Sequence, residues 1–149
     1  MTKIFLFSSL LLLFSQCQLG YDGGRYMDFY NNSDKPIYYS MPWEYGILYP
    51  DTTLPKKNPK SYKINKEWHF SLAYNENALF AMFPTDTMSI FFFDPDTLAK
   101  YDWKIIREEY KILVRYDFSH NDLKKLNWRI DYPPTEAMQD MKMFPPYRQ

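Results

Sequence analysis

The sequence predicts a single α+β domain built mainly on an antiparallel or mixed, sandwich-like β-sheet, with a helix between two central strands and short helices near the C-terminus. Three observations carry this reading. Residues 87–94 are an apolar run of strand length with no alternation through Ile90, Phe91, Phe92 and Phe93, the pattern of a strand covered on both faces. An acidic turn, a helix-period segment and a second strand ending at Asp117 follow with little chain between them. Aromatic residues make up 20% of the chain, and rings favour strands over helices. At 149 residues the chain fits one domain, able to bury roughly two-thirds of its unfolded surface without disulfide staples.

Taken in order, residues 25–30 read as a first strand and 36–41 as a second. The turn cluster Asn31, Asn32, Ser33 and Asp34 between them predicts a hairpin. Residues 42–59 carry four prolines and the rings of Trp43, Tyr45 and Tyr49, and read as a long irregular loop. Lys56, Lys57, Lys60, Lys63 and Lys66 surround a weak strand holding Tyr62 and Ile64. Such a strip is an edge strand guarded by lysines, and on a membrane-held protein it would also face anionic headgroups. Trp68, Phe70 and Leu72 alternate with His69, Ser71 and Ala73 as a strand with its apolar side inward, while 78–83 fits a helical turn or a strand equally.

After the central strand, Asp96 or Thr97 is the expected helix cap and Asp102 a second one. Leu98, Tyr101, Ile105 and Ile106 share the face that would lie on the sheet. The returning strand, 110–117, pairs either through a parallel crossover or with the helix laid across the sheet end. Ser119 and Asp122 have capping-box spacing before a short helix, with Asp in place of the usual Glu. Residues 128–132 form the last expected strand, and Thr135 caps a final turn.

The N-terminus speaks to location. One positive charge at Lys3 precedes an apolar core from Ile4 to Phe14, which is shorter than the ~20 residues a spanning helix needs and fits a secretory signal. The only cysteine, Cys17, stands at the end of that core, before the abruptly polar Gln18, Gly20, Asp22, Gly23 and Gly24. Phe14, Ser15, Gln16 and Cys17 resemble the cleavage site of bacterial lipoproteins, with Phe in place of the commoner Leu and Gln bulkier than the usual small residue before the cysteine. The resemblance implies a signal peptide over 1–17, removed up to a Cys17 that carries acyl chains such as palmitate. A tether over 18–25 and a globular domain over 26–149 would follow. Location would then be the cell envelope, at the outer membrane, facing the periplasm or the cell surface. Several acyl chains, each methylene contributing ~0.8 kcal/mol, would suffice as the membrane anchor.

A second resemblance spans most of the mature chain. The residues that carry it begin with Asn31, Asn32, Ser33, Asp34, Pro36 and Tyr38, then Tyr49, Pro50, Asp51 and Thr52. Asp86 through Phe91, Asp96, Thr97 and Leu98 continue it. Tyr110 through Leu113, Arg115 to Asp117, Asp122 to Trp128, and Tyr132 with its two following prolines complete it. Together they are similar to a group of small, uncharacterised lipoproteins of Bacteroides-type bacteria. The resemblance implies a location and no activity.

Charge and motifs bound the function. The chain has 18 basic and 18 acidic residues, and removal of the leader takes away Lys3 alone, so no electrostatic footprint for nucleic acid is present. No nucleophile elbow, zinc-protease helix or phosphate loop occurs. His69 and Ser71 would share a strand face about 7 Å apart, too far for a nucleophile and its base. His120 beside a cap reads as a surface residue. Asp94 and Asp96 with Asp51 or Asp86 would be oxygen ligands only if brought together, and turn and cap roles explain them without a metal. Glu108 and Glu109 point apart on their helix. No catalytic residue, metal or cofactor is therefore expected. The expected function is a non-enzymatic binding or interaction module for a protein or glycan partner, with Trp43, Tyr45 and Tyr49 as its partner-binding rings. The alternative is a small, hydrolase-like envelope enzyme with an Asp/Glu/His site.

Overall fold

The structure is a computed structural model that describes residues 25–58 and 62–148. The leader, Cys17 and residues 18–24 lie outside the described residues, as do Pro59 and Lys60. Eight strands are described: β1 (Arg25–Asn31), β2 (Ile37–Ser40), β3 (Tyr62–Ile64), β4 (Trp68–Tyr74), β5 (Thr87–Phe93), β6 (Val114–Ser119), β7 (Arg129–Tyr132) and β8 (Lys142–Phe144). They form a three-stranded sheet, β4-β1-β7, packed on a five-stranded sheet, β3-β2-β5-β6-β8. Four short helices complete the α+β architecture: α1 (Glu76–Ala81), α2 (Pro95–Lys100), α3 (Trp103–Glu108) and α4 (His120–Lys125).

β5 is the middle strand of the larger sheet, and every residue from Met88 to Phe93 is buried, as its unbroken apolar run predicts. Met88, Ile90 and Phe92 join Met27, Phe29, Tyr39, Tyr116 and Ile130 in the core between the sheets. Phe91 and Phe93 point the other way and form a second cluster with Leu54 and Ile106, flanked by Leu98, Tyr101 and Trp103. Burying each of those two rings contributes about 1.5–3 kcal/mol, which is why helices and loop must cover the outer face of β5.

β6 pairs with β5 antiparallel, from Thr87↔Ser119 to Phe92↔Val114. The connection is thus two helices laid over the sheet rather than a parallel crossover. The expected single helix is split: Tyr101 adopts extended backbone between α2 and α3, so each helix turns its own apolar residues onto the sheet. The cap of α2 is Asp94, two and three residues before the candidates Asp96 and Thr97, and its carboxylate accepts from the Thr97 N–H at 2.8 Å. Asp102 occupies the α3 cap position without a side-chain bond. The Ser119–Asp122 capping box is formed.

Two expectations are corrected. β1 and β2 do not form a hairpin: β1 pairs with β4 and, in parallel, with β7, whereas β2 pairs with β3 and β5. The cause is Asn31, which is buried and donates from Nδ2 to the carbonyls of Lys35, Ile64 and Asn65 at 2.7, 3.2 and 3.0 Å. These bonds replace hairpin ladder bonds and send the chain to the other sheet. Trp68, expected inward with Phe70 and Leu72, is 63% exposed because it lies at the end of β4, opposite Asn31, beyond the core. β8 was not foreseen at all; three residues between prolines and a 3-10 turn carry no periodicity.

The loop after β2 opens with a 3-10 turn, Pro42–Tyr45, and continues as a strap over the second cluster. Trp103 Nε1 donates to the Pro55 carbonyl at 2.9 Å, Arg107 Nε to Leu54 at 3.1 Å, and the Tyr110 hydroxyl to Thr52 at 3.0 Å. A polar chain fastens this arrangement to the sheet. Ser89 donates to Asp117 at 2.7 Å, Arg115 grips the same carboxylate with Nε at 3.0 Å to both oxygens, and Arg115 Nη1 reaches the Tyr110 hydroxyl at 2.6 Å. Burial alone would lower the Arg115 guanidinium, but its bonds to Asp117 and Tyr110 outweigh that and raise it further. With Asp117 at 2% exposure, removing one partner strands a buried charge. Asp117→Ala is expected to cost about 3–5 kcal/mol in urea denaturation, and the double variant Asp117→Leu/Arg115→Met to cost less than that single change.

Candidate functional site

The three sequence-predicted rings face three different neighbours. Trp43 packs edge-on against Phe83, with ring centroids 6.3 Å apart, and joins the main core; its indole N–H is buried with no partner among the described residues. Tyr45 is 37% exposed and lines a groove beside Arg107. Tyr49 is held by Lys142 of β8, whose ammonium bonds its hydroxyl and lies 4.7 Å from its ring centre. The loop therefore presents Tyr45, rather than a continuous aromatic surface.

A row of planar groups stands instead on the outer face of the three-stranded sheet. Strand alternation sends Met27, Phe29 and Asn31 of β1 inward and Tyr26, Asp28 and Tyr30 outward. Tyr30 lies directly opposite His69 on β4, and the rings are near-parallel at 18° with centroids 5.1 Å apart. The Trp68 ring follows His69 at 6.2 Å and 20°. From the β7 side the Arg129 guanidinium lies 3.9 Å from the Tyr30 ring centre. Strand order thus yields a row His69, Tyr30, Arg129 on the outer face of β4, β1 and β7, while Trp68, opposite the inward-facing Asn31 at the end of β4, joins it only through its ring contact with His69; in such a geometry rings and a guanidinium attract one another by about 0.5–1 kcal/mol per contact.

Polar groups flank the row. Asp131 accepts from Arg129 Nε at 2.9 Å and from Asn32 Nδ2 at 2.7 Å, and Asp28 accepts from the Ser71 hydroxyl at 2.5 Å. Tyr26, 61% exposed, stands four residues from Tyr30, about 13 Å along the strand. The outward residues Tyr26 of β1 and His69, Ser71 and Ala73 of β4 are exposed, whereas Phe91 and Phe93 on the outer face of the other sheet are covered by α2, α3 and the strap. Of this constellation the sequence reading named Trp68 as an inward strand residue and His69 and Ser71 as a rejected hydrolase pair, and missed the rest: Tyr30 and Arg129 are 99 positions apart and meet only through the parallel β1–β7 pair, which no local pattern announces.

No protein-family model, curated protein or solved structure matches the chain.

The remaining chemistry-bearing residues sort as follows. Ser71 hydrogen-bonds to Asp28 and His69 stacks on Tyr30, so the two share a face without acting on each other. His120 is not a lone surface residue. Its Nε2 lies 2.6 Å from Glu76 Oε1, and its ring stacks on Phe80 with centroids 4.4 Å apart. Arg25 and Lys124 approach the same carboxylate at 2.9 and 3.6 Å. No hydroxyl or thiol among the described residues hydrogen-bonds to His120, so the cluster bridges α1, α4 and the start of β1 rather than arming a nucleophile. Asp51 closes a turn onto Thr53, Asp94 caps α2, and no three acidic, His or Cys side chains converge among the described residues.

Burial works to raise the Glu76 carboxyl, but the His120 hydrogen bond and the charges of Arg25, His120 and Lys124 outweigh it and hold it below its ordinary value of 4.5. A depressed carboxylate contributes stability above its unfolded value and loses it as pH falls through the folded one. Glu76→Gln is expected to lower stability by about 1 kcal/mol at pH 7, with the difference from wild type shrinking as denaturation is followed below pH 4.5.

Proposed function

We propose that this protein is a non-enzymatic, lipid-anchored module of the bacterial cell envelope that binds a glycan on the open face of its three-stranded sheet. The observation that carries the reading is the pairing of exposed rings with hydrogen-bonding groups on an uncovered sheet: Trp68 and Tyr26 are 63% and 61% exposed, with Asp28, Ser71, Asn32 and Arg129 around them. A sugar ring has an apolar C–H face and a rim of hydroxyls, so it needs a flat apolar surface with carboxylate, amide or guanidinium groups beside it. A protein partner would instead be met by a contiguous apolar patch with a dry centre. Here charged groups interrupt the rings, and the Arg129 side chain that spans them is itself half exposed.

Rigidity supports the same reading. Rings on paired strands lose little freedom on binding, and Tyr30 is already held between His69 and Arg129. The envelope location rests on the leader and Cys17, and on the resemblance of residues 31–134 to small lipoproteins.

Two experiments test the proposal. Soluble protein lacking the leader is screened on an array of oligosaccharides and peptidoglycan fragments. Trp68→Ala and Tyr26→Ala are each expected to weaken the retained ligand roughly tenfold while leaving the thermal midpoint nearly unchanged, and Trp43→Ala to lower the midpoint instead. An array that retains nothing, or a Trp68→Ala/Tyr26→Ala double variant that binds as wild type does, sinks the glycan reading. The anchor is checked by intact mass of native material, which should begin at Cys17 and carry acyl chains; a chain beginning elsewhere, without hydrocarbon, removes the location.

A further inference from the structure

The strap and the 3-10 turn enclose a groove on the opposite flank of the molecule, about 600 Å³ in volume and within the range of small-ligand sites. Its walls are the rings and aliphatic chains of Tyr45, Ile47, Leu54 and Pro55, and its polar groups are Lys56, Lys57 and Arg107. No carboxylate among the described residues lines it. The outer wall is held in place, because Trp103 and Arg107 hydrogen-bond to the Pro55 and Leu54 carbonyls from α3. Arg107 uses Nε for that bond, and among the described residues its two terminal nitrogens have no hydrogen bond or ion pair. Neither Lys56 nor Lys57 has an acidic partner among the described residues.

Three cations around one apolar trough repel one another and are relieved by a bound anion. A small inorganic anion would leave the half-buried Ile47 and the exposed Tyr45 ring, which rise over the buried Leu54 and Pro55, without apolar cover, and a neutral hydrocarbon would leave the cations unanswered. We propose that this groove binds a single-chain anionic amphiphile, a carboxylate on an aliphatic tail, with the tail along Tyr45 and Ile47 and the head at Lys56, Lys57 and Arg107. The site is separate from the glycan face and stands whether or not that face binds sugar.

The test is titration of the soluble protein with decanoate, followed by calorimetry and backbone amide shifts. Saturable binding is expected, with shifts centred on Ile47, Leu54 and Arg107. Uncharged 1-decanol should bind about tenfold more weakly for want of the charged contacts, and acetate more weakly still, by over roughly a hundredfold, for want of the tail. Lys56→Gln/Lys57→Gln, two exposed changes outside the core, should raise the Kd about fivefold with an unchanged thermal midpoint. Ile47→Asp should abolish binding. The proposal is overturned if decanoate does not saturate, if decyltrimethylammonium binds as well as decanoate, or if the shifts fall on Tyr30 and Trp68. It is also overturned if vesicles rich in anionic phospholipid bind through the same lysines while decanoate does not, since the strip would then be a membrane-surface contact.

Discussion

The double burial of β5 is the constraint on which the rest of this structure depends. A strand whose side chains alternate between two apolar sets cannot face water on either side, so the larger sheet needs a layer above and a layer below. The three-stranded sheet supplies one layer through Met27, Phe29 and Ile130. The other is assembled from pieces that would not be stable alone. α2 and α3 are six residues each, well short of the length at which an isolated helix persists in water, and they exist because Ile106 is buried with Phe91 and Phe93 while the half-buried Leu98 and Trp103 pack against that cluster. The strap adds Leu54, which no helix reaches, and the hydrogen bonds from Trp103, Arg107 and Tyr110 satisfy carbonyls that this burial removes from water.

Having spent its helices on one side, the chain leaves the outer face of β4-β1-β7 bare. α1 and α4 sit at the sandwich end, joined through Glu76 and His120, rather than on that face. β1 therefore lives in two media, with Met27 and Phe29 fully buried and Tyr26 in solvent. A wet sheet face is ordinarily filled with small polar or β-branched residues; here Tyr30 lies between His69 and Arg129, with Tyr26 further along the strand and a tryptophan at the strand end. Folding gains little from rings so exposed, and that imbalance makes this face a better candidate for recognition than the loop rings, two of which are held by Phe83 and Lys142.

Much of the fold was legible because it rests on local chemistry. The unbroken run of β5, the alternation within β1 and β4, and the Ser119–Asp122 box are each readable within a few residues. What was illegible depends on partners far along the chain. The turn at residues 31–34 has hairpin composition, but Asn31 is satisfied by carbonyls 33 and 34 positions away, and only the folded state reveals that competition. The split between α2 and α3 falls at Tyr101, where no Gly or Pro marks a break and only the extended backbone of the folded chain shows it. The site followed the same logic. Prolines drew attention to Trp43, Tyr45 and Tyr49, since irregular segments often carry function, whereas the row on the sheet unites β4, β1 and β7 and has no signature in any one of them.

The proposed anchor and the proposed face constrain each other. Eight residues separate Cys17 from the end of Arg25, a reach of at most about 28 Å when fully extended, so an acylated Cys17 would keep the start of β1 close to its bilayer. β1 begins beside Tyr26 and runs toward Asn31, whose opposite residue on β4 is Trp68. The most exposed ring of the row therefore lies at the end of the strand away from the tether, and Tyr26 at the end nearest it. With the proposed anchor in place, a ligand extended along β1 would enter at Trp68, where a bilayer would obstruct least, and continue past Asp28 toward the tether, so the strand nearest that anchor would also set the direction in which the face is approached.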